Sequence, residues 1–279
     1  MKYVFFGTPE FAGIILKGLI EADMPPVAVV CNPDKPVGRK KLITPPITKQ
    51  IAEQEGIKVF QPKTKKDLVA LSPSLSEMAD FAVVAAYAKI IPLKVINGFK
   101  LGIIGVHPSL LPKFRGPSPI QSVILSGKLE TGTTLFMLDQ GVDDGLILIQ
   151  GKVNVENRNY EELIKVLGEL SLKLLTETLP EFVSGKIKPV PQDENEVTVT
   201  NFFEPEAGLV KENDLKDALG GDEEKSSKIE RMVRALNPEP GVYTLANSKR
   251  TKLLSVRKDG SKLVLEKIQK EGKTPQAFV

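Results

Sequence analysis

The feature that most limits the fold is a series of short, unbroken apolar runs. "YVFF" at residues 3–6, "VAVVC" at 27–31, "FAVVAA" at 81–86 and "LGIIGV" at 101–106 show no polar alternation. A strand with one wet face alternates. A strand that is apolar throughout is covered on both faces, the condition of a parallel sheet flanked by helices. Helical patterns stand between these runs. After "YVFF", Thr8-Pro9-Glu10 offers a hydroxyl N-cap, a proline at the first helical position and an acid in the positive first turn. Phe11, Ile15 and Leu19 then recur at helical spacing. "ITKQIAEQEG" and the segment from Asn159 to Ser184, with Leu163, Val166, Leu167, Leu170 and Leu174 on one stripe, read as further helices. "TTLFMLD" and "GLILIQGKVNV" read as a strand and its return partner. The expected fold is α/β: a doubly wound, mostly parallel Rossmann-like sheet.

From about Gly185 to Ser227 the sequence turns polar and irregular. Beyond it stand one helix, "KIERMVRAL", and short strands separated by "NPEPG", "NSKR" and "KDG". Turn signals at this spacing predict a small C-terminal β-barrel domain, OB-like in type. The expected organisation is a catalytic domain over 1–185, a linker over 186–206 and a β-rich domain over 207–279. From Lys225 onward, 13 Lys and Arg face 5 Asp and Glu, so the tail is basic. The single cysteine, Cys31, allows no internal disulfide and points to a reducing cytosol. It ends an apolar run, so a packed thiol is expected rather than a nucleophile. No run reaches the ~18 apolar residues that span a bilayer, and the opening residues read as a first strand rather than a leader.

In open α/β sheets, ligands bind beyond the carboxyl ends of the strands. His107, the only histidine of 279 residues, stands at such an end. Asp139, Asp143 and Asp144 stand just past the next strand. Two neighbouring strand ends can present an imidazole and a carboxylate to one crevice, with the carboxylate fixing the tautomer. Such a pair suits proton removal from an amine nucleophile. On these residues alone, a single histidine is more often structural or merely exposed than catalytic.

The surrounding residues say more. "HPSLLPKFRGPSPIQ", residues 107–121, closely resembles the signature of the methionyl-tRNA formyltransferases, part of a wider formyltransferase family that uses 10-formyltetrahydrofolate. "VFFGTPEFA", "NPDKPVGRKKL…TPP", "VVAAYAKIIP", "TGTTLFMLDQGVDDG" and "RALNPEPGVYT" resemble other blocks of that family, in family order, across nearly the whole chain. The resemblance implies transfer of a formyl group from 10-formyltetrahydrofolate to the α-amino group of methionine on initiator tRNA. It implies no metal, and a cytoplasmic monomer acting in translation initiation.

The family's catalytic set is Asn, His and Asp. His107 matches the histidine, and Asp143 matches the aspartate, since "GVDDG" stands where the family has Gly-Leu-Asp-Thr-Gly. Ser109, Leu110, Leu111 and Pro112 match the tetrahydrofolate-binding segment, with Ile90 and Ile91 as expected walls for the pterin. Arg39, Lys40 and Lys41 match a tRNA-contacting loop, and Arg115 is assigned to the same substrate; read alone, that loop is a solvated lysine-rich turn. The asparagine, two residues before the histidine, is here Gly105. Its side chain would donate to the oxyanion of the tetrahedral intermediate, and losing such a donor costs roughly 100–1,000-fold in rate. Restoring it by Gly105→Asn is expected to raise the rate. The basic loop is one residue shorter than the family's Gly-Arg-Gly-Lys-Lys, and "NPEPG" lacks the tryptophan of the family's Asn-Pro-Trp-Pro-Gly.

Two other functions fit part of this pattern. A sugar-nucleotide amine formyltransferase shares the His–Asp core and the Ser-Leu-Leu-Pro loop, and a non-catalytic folate- or tRNA-binding relative would account for Gly105. "FFGTPEFA", the basic loop and "RALNPEPGVYT" favour tRNA. A dinucleotide oxidoreductase is set aside, because Gly7 and Gly13 do not form G-x-G-x-x-G.

Overall fold

The computed structural model describes residues 1–38, 41–246 and 249–278. The chain forms two compact units. One holds Met1–Gly116, Thr131–Val153 and Ile164–Val199; the other holds Pro117–Glu130, Asn154–Leu163 and the chain from Thr200 onward.

The strands of the first unit are β1 (Tyr3–Gly7), β2 (Ala28–Val30), β3 (Lys35–Val37), β4 (Leu42–Thr44), β5 (Lys58–Phe60), β6 (Phe81–Ala85), β7 (Ile103–His107), β8 (Glu130–Met137) and β9 (Ile147–Asn154). Seven of them make one sheet in the order β5-β2-β1-β6-β7-β8-β9. The first five run parallel, and β8 joins antiparallel to β7. The chain moves outward from β1 to β5, then returns to the other side of β1 through β6 and β7. That reversal puts the topological switch point between β1 and β6, one strand from His107.

Every residue of β1 and β7 is buried, as their unbroken apolar runs require. Val4, Phe6, Val30, Leu68, Leu75, Tyr87, Ile91 and Val95 form one core face of the sheet, each large side chain contributing roughly 1.5–3 kcal/mol of burial. The helices of this unit are α1 (Glu10–Glu21), α2 (Ile47–Gln54), α3 (Lys65–Met78), α4 (Leu93–Ile96) and most of α6 (Tyr160–Val183), whereas α5 (Pro119–Ser126) belongs to the second unit. Two glycines let α1 and α6 approach closely: a Cβ on Gly18 would lie 2.1 Å from Leu172, and one on Gly168 2.8 Å from Ile14. Thr8 does not cap α1 as expected. Pro9 takes the N-cap position, and the Thr8 hydroxyl accepts from the Asn32 amide at 3.1 Å, joining the ends of β1 and β2. Cys31 is buried at the end of β2, and that burial pushes its thiol up to about 11.

The second unit contains a sheet of β10 (Leu209–Val210), β11 (Tyr243–Ala246), β12 (Lys249–Asp259), β13 (Lys262–Lys270) and β14 (Gln276–Ala277), paired in that order. Only β10 and β11 are parallel. Two helices accompany it, α7 (Glu212–Gly220) and α8 (Glu223–Leu236). The sequence reading missed α7 and began α8 five residues late. The Asp222 carboxylate, which accepts from Lys225 N at 3.1 Å, was the overlooked start signal. Ile229, Val233 and Leu236 make the buried face of α8, which packs on β12, β13 and α5.

Candidate active site

His107 ends β7 and is 6% exposed. Its ring meets one partner on each nitrogen. Nε2 lies 2.8 Å from the Phe114 carbonyl oxygen, and Nδ1 lies 3.5 Å from Asp143 Oδ2. A carbonyl oxygen only accepts, so Nε2 carries hydrogen and donates. In the neutral ring the lone pair therefore sits on Nδ1, facing the carboxylate. The 3.5 Å separation is an ion-pair distance, longer than a hydrogen bond in its ordinary range.

Both partners are held in unusual backbone. Phe114 has φ 61°, a left-handed conformation that bulky residues rarely adopt, and Asp143 has φ 53°, the same region, which aspartate enters more readily. Asp143 Oδ2 also accepts from the Gly116 amide at 2.8 Å. Of the other two acids considered, Asp139 and Asp144 are exposed, and Asp139 Oδ1 accepts from the adjacent Gln140 amide at 2.7 Å. Asp143 alone of the three reaches the imidazole.

The segment after His107 is folded against β8. Ser109 Oγ donates to the Lys113 carbonyl at 2.6 Å. Thr134 Oγ1 donates to the Ser109 carbonyl at 2.7 Å and accepts from the Leu111 amide at 3.0 Å. Gln150 Nε2 reaches both the Leu111 carbonyl and Thr134 Oγ1 at 2.8 Å. Ser109 and Leu111 are buried, and Leu110 and Pro112 are half-buried. Ile90 and Ile91 face opposite ways: Ile90 is 75% exposed, whereas Ile91 is 7% exposed and belongs to the core beside Phe6 and Tyr87. Ile91 is thus a core residue, and Ile90 is the one open to a ligand. The register Ala85–Val106 puts the loop that begins at Ala86 directly beside His107. Its Ala86 and Ala88 are exposed, with φ 47° and 60°.

Gly105 is buried opposite Phe136. A Cβ on it would lie 2.3–2.5 Å from Phe136 Cε1 and Cζ. The space that a side chain at 105 would need is filled by the Phe136 ring. A simple Gly105→Asn exchange therefore requires the Phe136 ring to shift, which counts against a gain in rate from that exchange alone.

Among the expected tRNA-contacting residues, Arg39 and Lys40 lie outside the described residues. Lys41 is exposed between β3 and β4. Arg115 is a correction: it is 8% exposed, and its guanidinium is engaged inside the unit by Gln192 and Glu194. A cation so enclosed is an internal brace rather than a phosphate contact. Gln192, Glu194 and Thr198 were missed altogether, because a polar stretch with no core pattern reads as linker; the β-branched alternation in "EVTVT" was the one available hint.

The chain belongs to the formyl transferase family. The formyl transferase profile matches residues 1–179, and the formyl transferase C-terminal domain matches residues 223–268. The methionyl-tRNA formyltransferase of Bacillus velezensis is 38% identical over 262 residues, which cover 94% of this chain and 80% of that protein. Solved structures share the fold at low identity. Methionyl-tRNA formyltransferase from Clostridium thermocellum matches at TM-score 0.62 and 17% identity, over 97% of this chain and 98% of that one. An N-formyltransferase from Helicobacter canadensis, solved with folinic acid and dTDP-3-aminofucose, matches at TM-score 0.65 and 16% identity, over 93% and 89%. No helix among the described residues is long and apolar enough to cross a membrane.

Proposed function

We propose that this chain transfers a formyl group from 10-formyltetrahydrofolate to the α-amino group of methionyl-tRNA, with His107 and Asp143 handling the proton. The observation that carries this reading is the placement of the sole histidine. It lies at a strand end beside the switch point, between a carboxylate and a carbonyl, in a chain 38% identical to a methionyl-tRNA formyltransferase. The residues present fit a folate donor. Ala86, which the strand register brings beside His107, and the exposed Ala88 and Ile90 of the same loop supply apolar surface, and Leu110, three residues after the histidine, is half-open.

The donor supplies an electrophilic formyl carbon on N10. As the amine attacks that carbon, its surplus proton passes to Nδ1 of His107, the ring atom with the free lone pair. Asp143 stabilises the imidazolium so formed, and the Phe114 carbonyl holds the hydrogen on Nε2 throughout. When the C–N10 bond breaks, the same proton neutralises the departing N10. Gly105 contributes no donor to the tetrahedral oxygen, so the turnover expected is roughly 100–1,000-fold below that of a site with such a donor. Lys41, with Arg39 and Lys40, supplies phosphate contacts that position tRNA without reading its sequence.

The test is formylation of charged initiator tRNA with 10-formyltetrahydrofolate, followed by release of formylmethionine. Slow but measurable product is expected, and none with an amino-sugar nucleotide as acceptor. Intact folate binding without turnover on either acceptor would leave a binding protein and end the enzyme reading.

A further inference from the structure

The polar stretch expected to be a linker touches both loops that close on His107. Its start pairs with β9, where the Ile147 amide donates to the Val190 carbonyl at 2.7 Å. Its end bridges Val199 to Arg115. Between these anchors, Gln192 is buried and its amide is fully used. Nε2 donates to the carbonyls of Asp143 and Gly145, both at 2.8 Å. Oε1 accepts from Arg115 Nε at 3.0 Å and Nη2 at 2.8 Å. Glu194 takes the other edge of the guanidinium at 2.7 and 3.3 Å. Thr198 Oγ1 accepts from the Phe114 amide at 2.8 Å, and the Thr198 carbonyl accepts from the Arg115 amide at 2.9 Å.

We propose that residues Gln192 to Thr198 form a strap that positions the His107–Asp143 pair, with Gln192 and Thr198 as its positioning residues. This rests on the reading of that pair as the proton-transfer groups. The bonds fall where positioning needs them. Gln192 holds the backbone of Asp143, whose carboxylate meets Nδ1. Thr198 holds the backbone of Phe114, whose carbonyl meets Nε2. Phe114 sits in a left-handed conformation that, for so bulky a residue, persists where surrounding bonds over-determine it, and Asp143 shares that backbone region. Arg115 is the cross-brace: its backbone amide is fixed by Thr198 and its side chain by Gln192, so the two ends of the strap act on one residue. Exposed Lys113–Glu196, at 2.8 Å, adds little to this.

His107 is the only histidine, so its ring gives a single set of 15N signals that reports the tautomer directly. In the parent, hydrogen on Nε2 is expected. Gln192→Ala and Thr198→Val should each move the ring toward a mixture of tautomers and lower kcat by roughly 10–100-fold, as loss of near-attack geometry does. KM for methionyl-tRNA should stay within about twofold, since uniform binding is untouched. Thr198→Ser keeps the hydroxyl and should keep the parent's signals and rate. Should Gln192→Ala fail to fold, the near-isosteric Thr198→Val and its serine counterpart carry the test. Unchanged ring signals and kcat in the folded variants, or equal losses for Thr198→Ser and Thr198→Val, would overturn the strap. If the parent shows no turnover while the ring signals still shift, the strap stands and the formyl-transfer reading falls.

Discussion

Two loops leave the carboxyl end of the same sheet, and they are built in opposite ways. Residues 107–116, after β7, turn their polar groups inward: His107, Ser109 and Arg115 are all buried and bonded within the unit. After β2, strands β3 and β4 pair as a hairpin, with Leu42 and Ile43 exposed at 65% and 67% and Lys35 and Lys41 in solvent. The root of that hairpin is tied down, where the Asp34 carboxylate accepts from Lys49 at 2.9 Å and Gln61 at 2.8 Å. A proton-transfer geometry tolerates little displacement, so its loop is buried and braced. Charge-based contact with a flexible polyanion works at longer range and needs exposure instead.

That contrast is open to direct attack, most sharply at the imidazole. His107→Ala removes the lone pair on Nδ1 and should lower kcat by roughly 10²–10⁴-fold while the fold persists. Asp143→Asn should fall in the same range, because a neutral amide no longer stabilises the imidazolium formed on His107. Steady-state formylation with circular dichroism as a folding control decides both; full turnover in either variant dissolves the distinction between the loops.

The next effect concerns Gly105. Gly105→Asn alone drives a side chain into the Phe136 ring, and overpacking of this kind costs about 1–3 kcal/mol. A lower urea midpoint and no gain in rate are expected. Pairing it with Phe136→Ala opens the space, and kcat should then rise, by up to about 100-fold if the amide reaches the oxyanion. A gain from the single variant would mean that Phe136 yields more readily than its packing implies.

Neutralising the hairpin should act on the other parameter. Lys40→Ala with Lys41→Ala is expected to raise KM for methionyl-tRNA several-fold and to spare kcat. The salt dependence of binding should flatten by about one unit of slope for each phosphate that a lysine no longer neutralises. A fall in kcat instead would join the hairpin to the chemistry and break the comparison from its other side.

The smallest effect is on stability. The Arg115 guanidinium holds the Glu194 carboxyl below the usual glutamate range. A carboxylate with a lowered folded-state pKa stabilises the fold above its unfolded value, and that contribution is lost as pH falls through the folded value. Urea midpoints measured from about pH 6 down to about pH 3, through the carboxylate range, should therefore fall more for the parent than for Glu194→Gln. Parallel curves would show that the bond from Arg115 to the exposed Glu194 carboxylate contributes nothing.

Much of the fold is legible in the chain because burial on both faces leaves a pattern a reader can see. The runs "YVFF", "FAVVAA" and "LGIIGV" became β1, β6 and β7 for that reason. His107 and Asp143 were found because a lone histidine and an acid each follow a strand, and the family signature fixed their register. Arg115 was misplaced because burial of a guanidinium depends on partners far along the chain, 77 residues away at Gln192 and 79 at Glu194. Helix α7 was missed because its apolar residues are too few to outweigh the polar ones around them.

The sequence alone determined the buried strands β1, β2, β6 and β7, the strand end that carries the sole histidine, and the absence of a donor side chain at Gly105. These are properties of local pattern and residue identity. Tertiary structure decided that Phe136 fills the space over Gly105, that Ile91 belongs to the core, and that a polar connecting segment grips both sides of the imidazole. Those facts depend on which distant backbone groups need partners once the sheet has brought two loops together, and no local pattern records that need.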